Sequence, residues 1–169
     1  MGNSGKTKKD IVTEGGKKQD TVKLVAIGAV LGVILVGAFF VLTTGGSSEA
    51  QTVTSRDGMV KLALADVGDG KAHHYRFTEG GKEIKFFVLK SSDGVVRAAF
   101  DACDVCYREK KGYRQEGDLM VCNNCGQRFP SVKINEIKGG CNPAPLTRKI
   151  DGDSLVMYTT DILEGGFYF

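Results

Sequence analysis

The chain has 169 residues, 41% hydrophobic and 25% charged, with a net charge of +3. That leaves room for one modest domain and a tail; the composition is too apolar for a wholly disordered chain, and the charge is too small to argue for a nucleic-acid partner. Five cysteines, an odd number, all fall between Cys103 and Cys141, which favours a local site over a disulfide framework spread through a secreted miniprotein.

Residues 1–23 are rich in Gly, Ser and Lys, with six lysines (Lys6, Lys8, Lys9, Lys17, Lys18, Lys23) and no apolar periodicity. They read as a disordered basic tail. Nineteen uncharged, mostly apolar residues follow, from Leu24 to Leu42. At a rise of about 1.5 Å per residue, a helix of that length nearly spans the roughly 30 Å hydrocarbon core of a bilayer. The competing reading is a cleavable signal peptide, for which Ser48-Glu49-Ala50 is a weak cleavage site. The long n-region and the length of the apolar run favour an uncleaved anchor. All six lysines precede the run, so the N-terminus is expected in the cytoplasm and the C-terminal domain outside, in a single-pass arrangement in the cell membrane. Gly28 and Gly32 form a G-x-x-x-G pattern, a candidate helix-pairing face. Residues 43–55 read as a Gly/Ser/Thr-rich linker, and 56–169 as the outer domain.

The outer domain reads as short strands: Met59–Ala65, His73–Phe77, Glu83–Leu89, Val95–Phe100, Asp118–Cys122 and Ser154–Thr160. Ser91-Ser92-Asp93-Gly94 is a hairpin turn, and Gly80-Gly81 and Asp151-Gly152 mark two more. No segment sustains a 3.6-residue period, so the expected class is all-β, a small antiparallel sandwich or partly open barrel.

Cys103-x2-Cys106, fifteen residues, then Cys122-x2-Cys125 is the strongest motif. Two thiolates two residues apart can face one metal from a tight turn. Two such turns complete a tetrahedral S4 set for one ion, or supply a thiolate pair to each iron of a [2Fe–2S] cluster. Gly126 lets the backbone turn after Cys125. Neither pair is followed by His, which excludes covalent c-type haem. Cys103, Cys106, Cys122 and Cys125 are therefore the candidate ligands, with Cys141, His73 and His74 as further candidates. Adjacent residues on a strand point to opposite faces, so at most one of His73 and His74 can face the site. Tyr107 and Tyr113 are expected to cover it and keep water off. No Ser-His-Asp, Cys-His or paired-carboxylate set can be assigned, so nothing supports a hydrolase. An electron-transfer or metal-binding protein is favoured over a stand-alone enzyme.

The order Phe86-Phe87-Val88-Leu89, Asp93-Gly94-Val95-Val96-Arg97-Ala98, Cys103, then Cys122-x2-Cys125-Gly126-x2-Phe129 and Gly139-Gly140-Cys141-Asn142-Pro143 resembles a Rieske domain. Cys replaces the second-box His, and C-x2-C replaces C-x-H in the first box. The resemblance implies a β fold with two ligand-bearing loops clamping a cluster. Phe100-Asp101-Ala102-Cys103-Asp104-Val105-Cys106-Tyr107, Lys111-Gly112-Tyr113, Met120-Val121-Cys122-x2-Cys125-Gly126 and Gly140-Cys141-Asn142-Pro143 resemble the FtrD-like membrane iron–sulfur protein family more closely. That resemblance implies a membrane-anchored, extracytoplasmic iron–sulfur protein acting with a partner in iron uptake or membrane electron transfer. Two alternatives stay open: a non-redox metal module (structural zinc, or an iron or copper chaperone) and a disulfide-stapled structural domain.

Overall fold

Phe86-Phe87-Val88-Leu89 is a run of four apolar residues in a strand, where side chains alternate between two faces. Such a run is stable only if both faces are covered. The computed structural model describes residues 1–2 and 49–169, and in it both faces are covered. The expected transmembrane helix over 24–42 lies outside the described residues, as do nearly all of the basic tail (1–23) and the first part of the 43–55 linker. Among the described residues no helix is long and apolar enough to cross a membrane.

The described residues are mostly β, in three small sheets. The largest is built from β1 (Gln51–Val53), β3 (His73–Glu79), β4 (Lys82–Lys90) and β5 (Val96–Phe100), in that order. β3, β4 and β5 are antiparallel neighbours, whereas β1 pairs parallel to β3, so the sheet is not purely antiparallel. β1 falls inside the expected linker. It is anchored by Arg76, whose guanidinium donates to the Ala50 carbonyl at 3.0 and 3.1 Å. A second sheet holds β2 (Met59–Ala63), β10 (Ser154–Tyr158) and β9 (Lys149–Asp151). The third holds β6 (Tyr113–Glu116), β7 (Leu119–Cys122) and β8 (Arg128–Pro130).

The alternation along β4 divides the core. Ile84, Phe86 and Val88 pack with Val60, Leu155 and Met157 of the second sheet. Phe87 and Leu89 point the other way, onto Tyr113, Met120 and Cys122 of the third. β5 repeats the pattern, with Ala98 and Phe100 on one side and Ala99 on the other.

All six expected strands are present; β5 and β7 begin one residue later than expected, and β2 and β10 end two residues earlier. β2 stops at Ala63 because the Leu64 N–H donates to the Asp153 carbonyl and the chain turns into α1 (Leu64–Val67), which buries Val67. β10 stops at Tyr158, where the Thr159 N–H donates to the Gly58 carbonyl and α2 (Thr159–Glu164) begins, burying Ile162. Both helices are too short to print a 3.6-residue period in the sequence.

The Ser91–Gly94 turn joins β4 to β5 with Gly94 at φ 84°, the left-handed region that glycine enters without cost to a side chain. Asp93 accepts from the Ser91 hydroxyl (2.6 Å), the Val95 N–H (3.1 Å) and Arg97 (2.7 Å). Arg97 is 3% exposed and also donates to the Ile134 carbonyl (2.7 Å), Glu136 (2.8 Å) and Ser91 (2.9 Å). One guanidinium thus fastens the hairpin turn to the segment that leads towards Cys141.

Arg97→Met keeps the apolar stem and removes every donor. It leaves the Ile134 carbonyl without its partner, and the expected cost is about 1–3 kcal/mol, read by urea unfolding. An unchanged unfolding midpoint would show that the guanidinium holds nothing. The Ser91 hydroxyl and Arg97 hold the Asp93 carboxyl at about 2, below its ordinary 3.8. A carboxyl depressed in the folded state stabilises it above the ordinary value and loses that effect as pH falls through the folded one. Stability should therefore decline between pH 3.8 and about 2, and Asp93→Asn should flatten that part of the acid-unfolding curve.

Candidate metal centre

Three segments that are distant in sequence meet at the second core. The first leaves β5 at Phe100 and reaches Cys103 directly. The Cys106 N–H turns back onto Cys103 Sγ at 3.2 Å, and the Tyr107 N–H onto the Cys103 carbonyl at 3.2 Å. This is the tight turn expected of C-x2-C. It runs through a 3-10 turn (Tyr107–Glu109) and into β6 at Tyr113.

The second segment is the end of β7, where Cys122 pairs in register with Tyr113. The Gly126 N–H donates to the Cys122 carbonyl (2.9 Å), and the Cys122 N–H donates to the Gln127 carbonyl (2.9 Å). Gly126 sits at φ 74°, which closes this second knuckle. Asn123 ties the two loops together: its N–H donates to the Gly112 carbonyl and its side-chain amide to the Lys111 carbonyl, both at 2.9 Å.

The third segment carries Cys141. Residues 144–146 run along the free edge of β5: the Phe100 N–H donates to the Ala144 carbonyl, the Ala144 N–H to the Ala102 carbonyl, and the Leu146 N–H to the Ala98 carbonyl. This docking places Cys141 beside the first loop, with its Sγ 4.0 Å from Cys106 Sγ. The Tyr113 hydroxyl donates to the Cys141 carbonyl at 2.7 Å and fixes it there.

All five cysteines are free thiols and form two overlapping triplets. The sulfurs of Cys103, Cys106 and Cys122 lie within 4.8 Å of one another, as do those of Cys106, Cys125 and Cys141. Cys103 and Cys122 are buried, Cys106 and Cys141 are half-buried, and Cys125 is exposed. Burial pushes the Cys122 thiol up to about 11, against the pull of the Cys125 and Asn124 N–H groups. Burial, reinforced by Cys125 and Cys106, lifts Cys141 to about 12. The Gln127 N–H draws Cys125 the other way, below its ordinary value. Cys125 therefore ionises more readily than Cys122 or Cys141.

The histidines stand apart from the sulfurs. His73 Nε2 meets Asp69 at 2.7 Å, and His74 Nδ1 faces Asp101 at 3.7 Å while its ring packs on Phe87. Among the described residues, the groups of potential metal ligands contain cysteines only. The two tyrosines also divide. Tyr113 is buried against Phe87 and Phe129 beside the sulfurs, and burial and Cys103 hold its hydroxyl above the usual tyrosine range. Tyr107 lines the narrow crevice at Cys103 and Cys106, but its ring packs on Phe167 and Tyr168.

Asp101 is a positioning residue with no signature in the sequence. Its carboxylate accepts the Tyr113 N–H at 2.7 Å and faces His74. A Cβ on Gly112, at φ 63°, would collide with that carboxylate. Beyond Asp101 and Tyr113 opens a cleft of about 590 Å³, with Lys71, Arg76, Lys85 and Arg114 in its wall.

A family model described as "Membrane iron-sulfur containing protein FtrD-like" matches residues 67–169. No curated protein sequence matches the chain. Among solved structures, a crystal structure of the quaternary ammonium Rieske monooxygenase CntA in complex with an inhibitor is similar at a TM-score of 0.40 and 10% identity, over 66% of this chain and 32% of that one. The likeness spans about a third of that chain and is too weak to argue from. The family match takes in more than half of this chain and all five cysteines, and the chain belongs to the FtrD-like family of membrane iron–sulfur proteins.

Proposed function

We propose that this protein is a membrane-anchored electron carrier whose outer domain holds an iron–sulfur centre, [2Fe–2S] in type, between its two C-x2-C loops and serves iron uptake or a membrane oxidoreductase. The observation that carries the reading is the convergence of the Cys103, Cys106 and Cys122 sulfurs within 4.8 Å of one another, with the Cys125 sulfur within the same distance of Cys106. The donor set fits the group: thiolates are the ligands such clusters use, and backbone N–H groups already turn towards sulfur at Cys103 and Cys122. When bound, the cluster takes up and releases single electrons. The chain orients it through β5 and β7, whose ends fix Cys103 and Cys122. Phe87, Leu89, Met120 and Ile134 keep water from the inner side. The anchor in this reading is the apolar run 24–42, and the basic residues before it place the domain outside the cytoplasm.

The close approach of the sulfurs also suits a single structural zinc ion, which is the second reading. Metal and sulfide content after anoxic purification of the full chain separates the two. Iron with sulfide and visible charge-transfer bands supports the carrier, and zinc without sulfide overturns it. Four thiolates make a cluster more negative than two thiolates and two imidazoles, which disfavours the reduced state. The midpoint potential should therefore lie below about −150 mV, the lower edge of the Rieske range. A titration giving a value inside that range would contradict all-thiolate ligation. Cys122→Ser should abolish the cluster bands; an unchanged spectrum removes Cys122 from the ligand set.

A further inference from the structure

The fifth cysteine exceeds what four-thiolate ligation requires, yet it is held as firmly as the other four. The Tyr113 hydroxyl grips its carbonyl, and the hydrogen bonds of residues 144–146 to β5 set its position. Just after it, the Asn142 side-chain amide and N–H both donate back to the Gly139 carbonyl, at 2.9 and 3.3 Å, closing a turn around Cys141 with Gly139 and Gly140 at φ 85° and 64°. The result is a second three-sulfur face. Thiolates around one tetrahedral ion stand about 3.8 Å apart, as bond lengths near 2.3 Å dictate. Cys106 and Cys141 lie 4.0 Å apart, and Cys125 completes a triplet within 4.8 Å.

We infer that Cys106, Cys125 and Cys141 form a second site, for a thiophilic metal ion, which shares Cys106 with the inner set of Cys103 and Cys122. The inference rests on the metal-binding reading above and concerns the chain before a four-thiolate centre is assembled, when Cys106 and Cys125 are not yet committed to it. The two sites differ in access. Cys103 and Cys122 are 1% and 2% exposed, whereas Cys125 is exposed and Cys141 half-buried. A three-sulfur face open to solvent leaves one coordination position for water or an incoming ligand. The outer site is thus where an ion would enter or leave, and Cys106, bonded to both, couples its occupancy to the inner one. A soft, all-thiolate face selects Cu(I), Zn(II), Cd(II) or Fe(II) over Mg(II) and Ca(II).

Cadmium alone is a suitable probe, because it binds thiolates without needing sulfide. The full chain, freed of metal under anoxic conditions with a non-thiol reductant, is titrated with Cd²⁺ and followed by the thiolate charge-transfer band. Two equivalents are expected for the wild type, the second weaker and removed first by a chelator. Cys141→Ser and Cys125→Ser should each bind one. Cys125 is exposed, so its variant keeps the fold testable if Cys141→Ser fails to fold. With ¹¹³Cd, two resonances coupled through a shared sulfur should appear in the wild type and a single one in either variant. One equivalent in the wild type, unchanged in Cys125→Ser or Cys141→Ser, overturns the second site and leaves the inner one standing. Two equivalents that survive both substitutions also overturn it. Failure of the iron–sulfur reading is registered separately, by iron and sulfide content, and does not alter the cadmium count.

Discussion

The burial of β4 on both faces is the constraint from which the rest of the domain follows. One nine-residue strand carries Ile84, Phe86 and Val88 into one core and Phe87 and Leu89 into another. A sheet with a single dry face would need only one covering layer. Here the second layer has to exist, and it is the small sheet of β6, β7 and β8. Three strands of three or four residues bury too little to stand alone. They are held by what they cover, and the sulfur set lies within that contact.

This placement explains why Cys122 sits at a strand end and Cys103 only just past one. Cys103 is three residues past the end of β5 and Cys122 is the last residue of β7. Each inherits the rigidity of a hydrogen-bonded strand, so the inner half of the site is organised by the core itself. Cys106 and Cys125 hang one turn further out on their knuckles. Cys141 arrives by a different route, through pairing with the edge of β5 that would otherwise be left open. Covering that edge also removes an exposed row of backbone donors and acceptors. One contact thus finishes the sheet and delivers the fifth sulfur.

Much of this was legible in the sequence, and the parts that were not have physical reasons. The strands with clean alternation or a run of apolar residues appeared where expected, as did the turns at Gly80-Gly81, Ser91–Gly94 and Asp151-Gly152, because their signals are local. The two C-x2-C knuckles were legible for the same reason. β1, β6, β8 and β9 were not, since three or four residues are too few to establish a period and their pairing depends on distant partners. The ends of β2 and β10 were overshot because the competing bonds, Leu64 to Asp153 and Thr159 to Gly58, join residues far apart in the chain. The same holds for Cys141, whose neighbourhood is set by Tyr113, Asn142 and β5. The two histidines illustrate the converse. As the chain's two histidines they were candidates of which at most one could face the site, and in the structure His73 meets Asp69 and His74 faces Asp101.

The sulfurs differ in burial and in how readily they ionise. At the inner end, a thiolate on Cys122 is disfavoured by burial and favoured by the Cys125 and Asn124 N–H groups. At the outer end, Cys125 has solvent and the Gln127 N–H, and its thiolate forms below the usual pH. At the proposed outer site a soft cation would meet the Cys125 thiolate first, and its charge would lower the cost of ionising the neighbouring Cys141. Cys106 stands in both triplets, so the proposed outer site and the inner set meet at one sulfur. The burial that keeps Cys103 and Cys122 dry leaves the proposed outer site as the one that meets solvent.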